Sequence, residues 1–126
     1  MDGEHWQIEP DEHDFPAART YLSLICTPPL AGKLVKLLEH ASTSSYQAKD
    51  LLRASRLQLL DESNKHVASD LQKVRNGTKL SPILLVRGRF DKGHDLVIAD
   101  GYHRVCASYW LDENSVIPCR IVDLPV

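Results

Sequence analysis

The chain is poor in several features that announce particular classes of protein. Its three cysteines, Cys26, Cys106 and Cys119, are odd in number and widely spaced, so no disulfide framework is expected. The first residues do not read as a signal peptide, and a reduced, cytoplasmic protein is the expectation. Basic residues have no surplus either. Lys plus Arg number 15 against 17 for Asp plus Glu, for a formal charge of −2. Without a basic footprint, strong nonspecific nucleic-acid binding is not expected. The apolar runs stay far below the ~20 residues a bilayer-spanning helix needs, so no membrane association is expected. His103 and Cys106 lie three residues apart, but no second Cys or His pair accompanies them at ligand spacing, and no metal site is assigned.

What is present suits one compact domain, since 126 residues can bury a core but leave no room for a second of any size. Residues 1–14 are rich in Asp, Glu and His, show no period, and are expected to form a mobile acidic leader ahead of a single domain over 15–126. Residues 17–26 fit a helix or a buried strand, with helix preferred. Thr27, Pro28 and Pro29 supply a cap and a first turn, followed at helical spacing by Leu30, Leu34, Leu37, Leu38 and Ala41. Residues 42–45 break the pattern, and 46–54 are expected to form another short helix. Residues 56–61 read as a short strand or extended segment, with Ser63 placed to cap a helix over 65–77. In that helix Val67, Leu71 and Val74 form an apolar stripe, while His66, Ser69 and Lys73 repeat on another face. Two strand-like runs, 83–87 and 96–99, flank turn residues Asp91-Lys92-Gly93 and predict a hairpin.

The most informative run follows that hairpin: Val97-Ile98-Ala99-Asp100-Gly101-Tyr102-His103-Arg104. An apolar strand ends in an Asp-Gly turn and passes directly into a helix. The first backbone N–H groups of a helix lack intrahelical partners and carry the positive end of its dipole, so an anion is favoured there. Gly101 permits close approach to the backbone, His103 adds a tunable donor and Arg104 a permanent cation. A plainer reading stays open: Asp100 as an N-cap, Gly101 as a turn residue and Arg104 as a solvated side chain.

With those residues in view, the segment from about 64 to 124 resembles the fold shared by the ParB amino-terminal domain, sulfiredoxin and the archaeal free serine kinases. The matching pieces occur in the family's order: a helix, the Pro82-Ile83 lead-in to a strand, a hairpin, a strand–loop–helix unit, and a last strand around Ile117-Pro118-Cys119-Arg120-Ile121-Val122-Asp123. The resemblance implies an α+β class, a ParB/sulfiredoxin-like mixed sheet flanked by helices. The family core falls at about 56–124, with an N-terminal helical extension over 15–55. In sulfiredoxin the position of Tyr102 holds the attacking cysteine. A phenol with an ordinary pKa near ~10 is no substitute for a thiolate, and Cys106 would lie one turn deeper, so sulfiredoxin activity is excluded. Sulfiredoxin's phosphate-facing K-x-x-S-x-x-x-T helix is matched at Ser69 and replaced at His66 and Lys73. ParB domains carry G-E-R-R, serving a cytidine triphosphate switch, against Gly101-Tyr102-His103-Arg104 here. The free serine kinases carry D-G-H-H-R, which differs from this chain only at Tyr102.

The resemblance therefore implies a nucleotide- or phosphate-binding protein, with ATP, ADP or CTP as ligand and Mg2+ as a companion ion. Gly101, Tyr102, His103, Arg104, Ser69 and Lys73 would hold the nucleotide. In a phosphotransferase version Asp100 and His103 are the catalytic candidates, with Asp61 or Glu62 in the region of the kinases' acidic base. The alternative is a non-catalytic module in which the loop senses a nucleotide and the first 60 residues contact DNA or a protein. A protein partner or a homodimer is compatible with either.

Overall fold

The computed structural model describes residues 5–125 of the chain. Among these residues five α-helices surround one four-stranded mixed sheet, an α+β arrangement. The elements run α1 (Asp14–Leu22), α2 (Pro28–His40), β1 (Thr43–Gln47), α3 (Ala48–Ser55), α4 (Lys65–Arg75), β2 (Ile83–Val86), β3 (Val97–Asp100), α5 (Tyr102–Leu111) and β4 (Val116–Val122). Strand order is β1-β4-β2-β3, with β2 parallel to β4 and the other pairs antiparallel.

The sheet's pleat sorts its side chains into two cores. Ile83 and Leu85 of β2 pack with Ile98, Ile117, Cys119 and the inner faces of α3, α4 and α5, while Leu84 and Val86 pack with Ala99 and the α1–α2 pair. β2 is buried along its whole length because both faces are covered. This central position explains its near-continuous apolar sequence.

Several expectations need correcting. The leader is not a free arm over residues 5–14. Trp6 is buried beside the core, and its neighbours exchange backbone hydrogen bonds with Leu80, Gln7 N to Leu80 O at 2.8 Å and Leu80 N to His5 O at 2.7 Å. A large apolar side chain and a strand-like backbone exchange offset the ordering cost that an aperiodic acidic segment otherwise carries. Residues 1–4 of the expected leader lie outside the described residues. The extension is also not wholly helical, because residues 43–47 form the edge strand β1 along β4, from Thr43 opposite Arg120 to Gln47 opposite Val116. Consequently α3 starts later than expected. The segment 56–61 pairs with no strand. The cap of α4 is Asn64, whose side-chain oxygen accepts from the amides of His66 and Val67, while Ser63 turns back to Asp61.

Candidate functional site

The β3–α5 junction has the geometry its sequence requires. Gly101 occupies the N-cap position of α5 at φ 111° and supplies no side-chain cap. The positive φ favours glycine there, and a Cβ, which would come within 2.8 Å of an Arg104 guanidinium nitrogen, would force the ends of the Ile83 and Arg104 side chains to shift. The amides that open α5 therefore meet no capping side chain from Gly101.

Across from them lies the polar face of α4, brought close because Val67 and Leu71 turn the helix's other side into the core. Between the two helices is a cleft of about 200 Å³, lined by His66, Ser69, Asp70 and Lys73 from α4 and by residues 100–104 from the junction. The residues expected from sequence to bind phosphate, Ser69, Lys73, Gly101, Tyr102, His103 and Arg104, thus share one cleft with Asp100. The His66 and His103 rings pack together with centroids 4.7 Å apart and planes tilted by 44°. Burial, reinforced by His66, holds the His103 imidazole below its ordinary value of 6.5. A neutral ring at neutral pH follows.

Asp70, not singled out in the sequence, is 8 % exposed beside this cleft, and its Oδ1 lies 3.7 Å from the Lys73 ammonium. Burial pushes its carboxyl up, against the pull of Lys73, Arg104 and His103. The sequence signal was only its place between Ser69 and Leu71, at the margin of the polar face.

Arg104 departs from the expectation of a solvated side chain or a free clamp. Its Nη2 lies 2.9 Å from Asp100 Oδ2, 3.4 Å from the Pro82 carbonyl and 3.5 Å from Asp14 Oδ2. Asp14 is itself buried at the start of α1 and accepts from the Ser81 hydroxyl. Asp100 is therefore a ligand of Arg104 instead of a helix cap. Burial pushes its carboxyl up, with Arg104 opposing and Asp14 adding to the rise. Nε of Arg104 is buried without a partner among the described residues.

The remaining candidates divide clearly. Tyr102 donates its hydroxyl to the Gln58 carbonyl, and burial pushes its phenol up, so the ring braces the α3–α4 loop in the neutral form. Cys106 is fully buried, and burial raises its thiol. That position offers no thiolate. Asp61 caps its own turn through Ser63 and, like Glu62, does not line the cleft. Asp11, His13 and Asp14 bring ligand atoms within 4.8 Å of one another. The Asp14 carboxylate is already engaged by Ser81 and Arg104, and no metal is assigned there.

No family model, curated protein or solved structure matches this chain. Among the described residues no helix is long and apolar enough to cross a membrane.

Proposed function

We propose that this chain is a ParB/sulfiredoxin-like protein that binds a nucleotide or related phosphate compound between α4 and the start of α5. In the favoured version it is a small-molecule phosphotransferase using ATP or ADP with Mg2+. One observation carries the reading: His66, Ser69 and Lys73 converge with residues 100–104 on one cleft at a helix N-terminus. Small-molecule sites commonly occupy roughly 300–1,000 Å³. At about 200 Å³ this cleft matches a phosphate group or two, leaving base and sugar on the adjoining surface.

The protein groups have separable roles. Lys73, its side chain half exposed, supplies charge at the mouth; Ser69 and the α5 amides supply neutral donors. Mg2+ would balance the phosphate charge when bound. His103 gains a proton more readily once an anion neutralises its surroundings. Asp70 is a better general-base candidate than Asp61, because it lines the cleft and its raised pKa makes the carboxylate a stronger base. Asp100 acts through Arg104, holding the loop.

The second reading, a non-catalytic nucleotide sensor, is favoured by the Asp14–Arg104 contact. A phosphate that competes for Arg104 would loosen the leader's hold on the core, giving a partner something to detect.

Calorimetric titration with ATP, ADP, CTP and GTP, with and without Mg2+, tests the common premise. Lys73→Ala is expected to weaken binding by roughly 1.5 kcal/mol, as loss of a charged donor does, without unfolding the protein. Absence of binding by all four nucleotides overturns the proposal. Turnover with Mg2+ and small hydroxyl acceptors, serine among them, then separates a transferase, which consumes bound nucleotide, from a sensor that retains it.

A further inference from the structure

A second cleft, of about 600 Å³, lies at the tip of the β2–β3 hairpin, the opposite end from Asp100. Leu51 of α3, Leu85 of β2, Leu96 and Ile121 of β4 give it an apolar floor, and its volume falls within the usual range for small-molecule sites. The rim has a different character. Arg53, Arg56 and Arg87 surround the mouth, with Asp50 and Asp95 beside them and Asp123 paired to Arg87, so three guanidinium groups and three carboxylates meet there.

Each arginine is tethered by an ion pair through one of its nitrogens: Arg53 to Asp50 at 3.3 Å, Arg56 to Asp95 at 3.0 Å and Arg87 to Asp123 at 2.7 Å. These are exposed pairs, of a kind worth only ~1 kcal/mol or less, and a guanidinium carries five N–H donors. An incoming anion can share or displace such partners at small cost. Arg56 also sits at the α3 C-cap with φ 58°, the left-handed region where glycine is more easily accommodated. Phe90, 98 % exposed on the short 3-10 turn Phe90–Lys92, offers an uncovered aromatic ring at the same mouth.

We propose that this cleft binds a small organic anion, a planar apolar body bearing one carboxylate or phosphate, at a site separate from the α4–α5 cleft. The body lies on the leucine and isoleucine floor beside Phe90, and the anionic group meets the arginines at the rim.

The probe is 8-anilinonaphthalene-1-sulfonate, a fused aromatic body with one anionic group, titrated into the full chain and followed by amide proton–nitrogen NMR. Saturable shifts are expected at Leu51, Leu85 and Leu96. The uncharged N-phenyl-1-naphthylamine should bind at least ~5-fold more weakly, equivalent to about 1 kcal/mol. Arg87→Gln and, independently, Arg56→Gln should weaken the anion while leaving the neutral compound unchanged, with the same spectra reporting that each variant is folded. Lys73→Ala should affect neither. No saturable binding, shifts centred elsewhere, or equal affinity for the charged and uncharged probes would overturn the proposal. Carboxylate and phosphate naphthalenes compared in the same assay then distinguish which anionic group the rim prefers.

Discussion

Arg104 has two competing demands on it: it lines the cleft, yet its Nη2 is held by Asp100 and Asp14. Arg104→Ala would leave two largely buried carboxylates without their cation, and we expect it to destabilise the fold by about 3 kcal/mol in urea unfolding. Lys73→Ala is consequently the cleaner test of phosphate binding. Gly101→Ala should cost roughly 2–4 kcal/mol, because it adds a positive-φ penalty to a collision with Ile83 and Arg104. A midpoint unchanged in denaturant would refute that account. Asp70 has the opposite sign. Its raised folded pKa means that its contribution to stability is fully present below the unfolded value near 3.8 and is lost as pH rises through the folded value. Asp70→Asn should therefore raise the melting temperature at pH 7 and flatten its rise toward acid, while a base role predicts a fall in kcat of about 100-fold.

At the scale of elements, α4 meets the opening of α5 because α4 has two useful faces. The stripe of Val67 and Leu71 was legible as a helical period, and so was the polar repeat of His66, Ser69 and Lys73. β1 was not legible. Thr43, Ser44, Ser45, Tyr46 and Gln47 have no apolar alternation, and they become a strand through pairing with β4 at the sheet edge. The first described residues were hidden for a related reason: a lone tryptophan has no periodicity, yet Trp6 packs beside Leu80 and ties this segment to the core. Trp6→Ala is expected to cost about 3–5 kcal/mol by chemical denaturation, far more than a change in a free tail. Hydrogen exchange should then rise at Gln7 and Leu80 ahead of the sheet.

For the whole molecule, ligand binding and proton uptake should be linked. His103 has its folded pKa lowered by burial and by His66, with Asp70 opposing and Arg104 assisting; Lys73 and Tyr102 also line its cleft. Stability from this residue is present above the unfolded value of 6.5 and is lost as pH falls through the lower folded value. A bound phosphate reverses the preference by favouring the imidazolium. Nucleotide affinity should therefore rise several-fold as pH falls below about 6.5, with proton uptake measured by calorimetry in buffers of different ionisation heat. An affinity independent of pH would separate His103 from the phosphate.

By itself the sequence determined the local elements whose causes are local: the prolines of the first turn opened α2, whose N-cap Thr27 makes no side-chain cap, apolar periodicity defined α4, and the Asp-Gly step after an apolar run marked the β3–α5 junction. It also supplied most of the cleft's residues, because their chemistry and helical spacing can be read along the chain. Only the tertiary structure decided which charges meet. Asp14 reaches Arg104 across 90 positions, β1 becomes a strand by borrowing β4's hydrogen bonds, and Asp70 becomes a buried acid when α5 covers its side of α4. Such pairings depend on long-range packing and desolvation, which no local period encodes.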